Sequence, residues 1–204
     1  RYTVRPDYKF STAILNELDF AHHRILAVTC HRRENYGAPM QNIMHAILRL
    51  VEENPDVEVV YPVHLSPVVR ECAFPILGSH PRIHLIDPID VEEMHNLMAR
   101  CFFVLTDSGG LQEEAPALGK PVLVMRRETE RPEAIAAGTA KLVGVEQETI
   151  LREANELLHS EAAYAKMAKA VNPYGDGHAS ERIVQAILWH FGRTADRPGD
   201  FCAQ

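Results

Sequence analysis

The feature that most limits what this chain can fold into is the alternation of short, β-branched apolar runs with longer stretches whose apolar residues return every three or four positions. The runs fall at 24–29, 58–62, 83–86, 103–106, 121–125 and 141–143, and the longer stretches at 39–53, 67–77, 91–100, 110–118 and 149–159. Such runs read as strands buried on both faces, and a connection of a dozen or so residues brings the chain back parallel to the strand it left. The pattern therefore predicts an α/β protein of the Rossmann-like type, a doubly wound parallel sheet covered by helices on both sides. In the stretch from Met40, the residues Ile43, Met44, Ile47, Leu48 and Val51 share one helical face, and Asn54-Pro55 ends it. Past Ser160 a charged helix is expected to about Val171, then a turn at Asn172-Pro173-Tyr174-Gly175-Asp176-Gly177. A last helix over 179–191 carries Ile183, Ile187, Leu188 and Phe191 as its stripe.

At 204 residues and 46% hydrophobic, the chain has enough apolar material for one substantial core, placed at 24–192. The polar stretch 1–23 reads as an interdomain linker, and the turn formers of 193–204 as a flexible tail. A net charge of -7 with no lysine- or arginine-rich run argues against nucleic acid or a membrane surface as partner, so an anionic ligand has to be held by local geometry. Cys30, Cys72, Cys101 and Cys202 form no C-x-x-C pair, and are expected to be reduced structural thiols rather than zinc ligands or disulfides. No metal and no cofactor are expected. No apolar run approaches the roughly 18 residues that span a bilayer, and a cytoplasmic location is expected.

In a doubly wound sheet, ligands bind beyond the carboxyl ends of the strands where the strand order reverses. Four segments lie at strand ends. The run His31-Arg32-Arg33-Glu34-Asn35-Tyr36-Gly37 puts three potential cations after the first strand, where arginine can grip phosphate oxygens in pairs. A solvated basic loop with Glu34 as ion-pair partner fits the same residues equally well. After the fourth strand comes Thr106-Asp107-Ser108-Gly109-Gly110-Leu111-Gln112-Glu113-Glu114-Ala115-Pro116. Paired glycines at a strand-to-helix turn admit a ligand close to the backbone, and the free N–H groups of the helix's first turn suit an anion. Glu114, a turn further on, can accept from a ribose diol. Ser108 serves equally as an ordinary N-cap, with Glu113 and Glu114 favouring the helix's positive end. The segment is neither G-x-G-x-x-G nor a Walker A motif, which speaks against a nicotinamide dehydrogenase or a P-loop enzyme. Arg126-Arg127-Glu128-Thr129-Glu130-Arg131-Pro132-Glu133 follows the fifth strand; an exposed loop of mixed charge is the better reading for Arg126 and Arg127 than for Arg131. His64, in Tyr61-Pro62-Val63-His64-Leu65-Ser66-Pro67, stands at the end of the second strand, where a histidine is more often structural.

Taken together in this order, His31-Arg32-Arg33-Glu34-Asn35, Pro62-Val63-His64, Thr106 to Pro116, Thr129-Glu130-Arg131-Pro132-Glu133 and Asn172 to Gly177 resemble the bacterial non-hydrolysing UDP-N-acetylglucosamine 2-epimerases. The resemblance covers nearly everything from Arg24 to Phe191. It implies the C-terminal half of a GT-B-type fold, in which two Rossmann-like domains hold UDP between them, with the N-terminal catalytic domain absent from this chain. It implies that His31 contacts the diphosphate or the reacting sugar, as the chain's catalytic residue. Ser108, Gly109 and Gly110 would hold the phosphates, Glu114 the ribose, and Arg131 would help with the diphosphate. In members activated by their own substrate, Arg32 and His64 match positions that touch a second UDP-GlcNAc. Ile89 and Met94 depart from the family's residues beside the uracil. The implied reaction interconverts UDP-GlcNAc and UDP-ManNAc by elimination and re-addition of UDP through 2-acetamidoglucal, in a homodimer, with the acid and base carboxylates in the N-terminal domain. A GT-B glycosyltransferase's donor-binding domain and a non-catalytic nucleotide-sugar-binding module are the alternatives.

Overall fold

Each of the six apolar runs becomes a strand of one sheet. In the computed structural model, which describes residues 3–201, these are β1 (Arg24–Thr29), β2 (Val57–Pro62), β3 (Ile83–Ile86), β4 (Phe103–Thr106), β5 (Val122–Val124) and β6 (Ala140–Leu142). They lie in the order β3-β2-β1-β4-β5-β6, every neighbouring pair parallel. The order reverses between β1 and β4, so the connections leaving these two strands diverge to either side and open a crevice above their carboxyl ends.

The helices are α1 (Ala38–Glu53), α2 (Pro67–Leu77), α3 (Val91–Arg100), α4 (Gly109–Ala117), α5 (Pro132–Ala137), α6 (Gln147–His159), α7 (Glu161–Ala168) and α8 (Ala179–His190). The two-residue period of β1 divides the core. Leu26 and Val28 face Met40, Ile47 and Leu50 of α1, Leu77 of α2 and Ile150 of α6; Ile25 and Ala27 face Leu97 and Met98 of α3 and Leu111 and Ala115 of α4. Most of these side chains are fully buried. Each such aliphatic side chain contributes about 1.5–3 kcal/mol by leaving water.

Two features depart from expectation. The short α5 sits where the sequence reads as loop, because the charges of residues 126–133 hide it. Its punctuation is nevertheless present, with Pro132 at the first helical position and Gly138 closing the helix in the left-handed region at φ 78°. The helix expected to run to about Val171 stops at Ala168. The polar segment before β1 packs along α3: Phe10 and Leu15 are buried in the second core. There Thr12 donates from both its backbone N–H and its hydroxyl to the Glu93 carboxylate at 2.9 Å, and Arg5 N–H donates to Asn96 Oδ1 at 2.9 Å.

α8 carries the stripe read from its sequence but does not use it on this domain. None of its residues is buried, and Ile183, Val184 and Ile187 are each more than half exposed. From Arg193 to Phe201 the chain forms no helix or strand, and Cys202 lies outside the described residues. Cys30, Cys72 and Cys101 are free thiols. No described helix is long and apolar enough to cross a membrane.

Candidate functional site

The crevice at the reversal point is organised by a residue to which the sequence assigned no role. Asp107, the first residue past β4, is completely buried, and its Oδ2 accepts from the backbone N–H of His31 at 2.8 Å and of Arg32 at 2.7 Å. The same oxygen accepts from Asn35 Nδ2 at 3.2 Å, and Asn35 also donates to Met125 O at 3.1 Å. One carboxylate thus fixes the loop after β1 onto the ends of β4 and β5. A buried charge is tolerable only when donors surround it, and three do. Neighbouring hydroxyls complete the junction, with Thr29 and Thr106 in contact at 2.6 Å and Ser108 N–H donating to Thr106 Oγ1 at 2.9 Å. An acid between Thr106 and Ser108 at the end of an apolar run was the available signal.

A second brace joins the loops after β1 and β5. Arg126 is only 5% exposed; its Nε and Nη2 donate to the two Glu34 oxygens at 2.6 and 3.0 Å, and its Nη1 donates to Glu130. The expectation of an exposed loop of mixed charge is corrected here for Arg126, because the guanidinium has two carboxylates to accompany it inward. It holds for Arg127, which is 69% exposed in its side chain and paired with Glu146. Hydrogen bonding to Arg126 holds the Glu130 carboxyl down at about 2.

On this frame the candidate residues come together. A Cβ at Gly109 would stand 3.4 Å from Arg32 Nη2 and 3.9 Å from Arg131 Nη2, so two guanidinium groups converge over the first turn of α4. The bare glycine is what permits that approach. Arg32 Nε donates to Asp107 O at 3.3 Å, and Arg131 pairs with Glu113. Ser108 occupies the N-cap position of α4 without capping through its side chain, and the helix's first turn holds no acidic residue. Glu113 and Glu114 therefore do not neutralise that helix end. Glu114 Oε1 would lie 3.7 Å from a Cβ at Gly110, and Oε2 is 3.3 Å from His95 Nε2. His31 faces His64 across a stacked arrangement with centroids 5.5 Å apart. Side-chain exposures of 36% for His31, 38% for Arg32, 44% for Glu114 and 35% for Arg131 make this an open rim. Ile89, just before α3, and Met94, within it, are partly buried against the core. Cavities of about 310 Å³, between α5, β6, α6 and α7, and about 330 Å³, beside β3, share no residue with the rim. Among the described residues no cluster of three or more His, Cys, Asp or Glu side chains is placed to hold a metal ion.

Two guanidinium groups thus stand over the N-terminus of α4, Arg32 with Glu130 3.8 Å away and Arg131 paired with Glu113, beside backbone with no side chain in the way, an arrangement chemically suited to an anion. The model of the UDP-N-acetylglucosamine 2-epimerase family matches residues 2–188. The chain belongs to this family. It is 57% identical over 202 residues to a putative UDP-N-acetylglucosamine 2-epimerase of Thermotoga maritima, covering 99% of the chain and 53% of that protein. A structure of MnaA from S. aureus with UDP superposes with a TM-score of 0.92 at 48% identity, covering 98% of the chain and 54% of that one. The UDP-GlcNAc 2-epimerase of Neisseria meningitidis, bound to UDP-GlcNAc, superposes at 0.83 with 44% identity, covering 87% and 47%. The fold is also that of the C-terminal domain of a Francisella tularensis glycosyl transferase group 1 family protein, at TM-score 0.58 and 17% identity. This member of the epimerase family spans about half the length of the relatives it matches.

Proposed function

We propose that this chain is the UDP-binding, C-terminal half of a UDP-N-acetylglucosamine 2-epimerase that interconverts UDP-GlcNAc and UDP-ManNAc by eliminating UDP and adding it back through 2-acetamidoglucal. The observation that carries the proposal is the convergence of Arg32 and Arg131 over Gly109 at the start of α4, with Glu114 one turn further on. The S. aureus relative was solved with UDP and the N. meningitidis relative with UDP-GlcNAc, which supports a uridine nucleotide as the ligand.

Ser108, Gly109 and Gly110 present backbone N–H groups to the phosphates, Arg131 neutralises the diphosphate, and Glu114 accepts from the ribose hydroxyls. His31 contacts the diphosphate or the sugar at the reacting end. Charge builds on the diphosphate as the C1–O bond breaks, and donors already fixed in place stabilise that charge without reorganising. The Asp107 and Arg126 braces provide the fixing. In a substrate-activated member, Arg32 and His64 touch a second UDP-GlcNAc. No metal or cofactor takes part in this scheme.

The acid and base that move the C2 proton belong to an N-terminal domain supplied by the rest of the enzyme, to which residues 1–23 are the linker. The exposed stripe of α8, with Ile183, Ile187 and Leu188, suits docking on that domain, and the tail read at 193–204 extends past the described residues, which end at Phe201. The complete protein works as a cytoplasmic homodimer. The test is to incubate the chain with UDP-GlcNAc in D2O and follow the C2 proton by NMR, alone and in the two-domain protein. Exchange and UDP-ManNAc are expected only from the latter; exchange by this chain alone contradicts the division of labour.

A further inference from the structure

Asp107 leaves one atom unaccounted for. Its Oδ2 has three donors, yet its Oδ1, in a carboxylate with no exposure, has no hydrogen-bond partner among the described residues. The imidazole of His31 has its Nδ1 3.4 Å from that oxygen. We propose that Asp107 is a positioning residue that fixes His31 as the Nδ1–H tautomer and leaves Nε2 as the ring's free nitrogen.

A buried carboxylate oxygen without a donor is costly, and a small rotation of the His31 ring closes 3.4 Å to an ordinary N–H···O distance. Such a bond forms only if Nδ1 carries the proton, so the acid selects the tautomer. The backbone makes the selection firm. Asp107 already holds the N–H groups of His31 and Arg32, so carboxylate and ring cannot drift apart independently. Two other groups face the pair. Cys30, beside Asp107, has its thiol pushed well up by burial and stays S–H, a weak donor next to the same carboxylate. His64 stacks on His31 with its plane tilted by 12°, and accepts from Ser66 N–H at its own Nδ1, 3.0 Å. That bond makes His64 the Nε2–H tautomer. The stack then pairs two imidazoles of opposite tautomer, and only His31 offers Nε2 as an acceptor. On the reading of His31 as a ligand-contacting residue, on which this consequence rests, Nε2 is the atom that takes a proton from solvent at the open rim and donates it toward the departing diphosphate, with Asp107 balancing the charge behind it.

The test replaces the carboxylate by its amide. In Asp107→Asn the amide oxygen keeps the donors now held by Oδ2, which puts the NH2 group where Oδ1 was. A donor there requires Nδ1 to accept, so the ring proton moves to Nε2. Nitrogen-15 shifts of the labelled histidine rings at about pH 9, above the ordinary imidazole range, distinguish the two forms. His31→Gln assigns the signals. The expected result is a protonated Nδ1 in the wild-type chain, a protonated Nε2 in Asp107→Asn, and no change in Cys30→Ala. A wild-type His31 protonated at Nε2, or an Asp107→Asn variant that retains the wild-type tautomer, overturns the proposal. The wild-type measurement decides even if the variant fails to fold. Adding UDP to the same samples separates the two claims: the expected tautomers without UDP binding uphold the positioning role and count against the nucleotide reading.

Discussion

At the scale of single residues, the rim is held in shape by two buried charges, Asp107 and Arg126. Truncating a contact residue should cost its own hydrogen bonds: Glu114→Ala and His31→Ala are each expected to weaken UDP binding by about tenfold or more, roughly 1.5–3 kcal/mol for a charge-assisted bond, measurable by calorimetry. Removing a brace should act on structure as well. Arg126→Leu strands Glu34 and Glu130, and is expected to loosen the loops after β1 and β5, seen as faster amide exchange there. The brace also has a pH signature. Glu130 is depressed to about 2 from an ordinary 4.5, so its contribution is complete above pH 4.5 and is lost as the pH falls toward 2. Its side-chain carboxyl carbon shift should titrate near the lower value, and a midpoint near 4.5 would show that the ion pair does not hold in solution. The residues that gather on the rim, Arg32, Gly109, Glu114 and Arg131 among them, were legible in the sequence because glycine pairs and basic runs at strand ends have a direct chemical meaning. Asp107 and Arg126 were not, since a charged residue in a loop looks exposed until its partners are known. Arg126 finds its partners both 92 residues away, at Glu34, and four residues away, at Glu130.

At the scale of elements, periodicity carried most of the information. The runs at 24–29, 83–86 and 103–106 are strands with those bounds, because residues such as Leu26 and Val104 have neighbours on both faces and leave no ambiguity of period. Leu26→Ala is expected to cost about 2–5 kcal/mol, the range for truncating a fully buried leucine, and to lower the thermal midpoint by about 2–4 °C for each kcal/mol. Periodicity fails for elements shorter than its own window. α5 has six residues and one buried side chain, Ala134, so its hydrophobic signal is nearly absent and only Pro132 and Gly138 mark it. The segment before β1 fails for a different reason. Its apolar residues Phe10 and Leu15 do not repeat at a helical or strand period, and they are held by long-range polar contacts to Glu93 and Asn96.

At the scale of the whole molecule, two surfaces are left uncovered by this domain. The rim over β1 and β4 is open, and α8 extends an apolar face that this domain does not cover. A single polar change on that face, Ile187→Ser, is expected to leave the stability of the isolated chain within about 0.5 kcal/mol, as for exposed positions generally. The same change should weaken association with a separately expressed N-terminal half, followed by calorimetry; a large loss of stability in the isolated chain would mean that α8 packs on this domain after all. If the start of α4 holds the nucleotide, this half binds UDP there by itself. The most direct test of this claim is a titration of the nitrogen-15-labelled chain with UDP, reading backbone amide shifts. Saturable shifts are expected at Ser108, Gly109, Gly110, Glu114 and Arg131, reduced in Glu114→Ala. Shifts confined to other parts of the fold, or none there in either this chain or the two-domain protein, would contradict it.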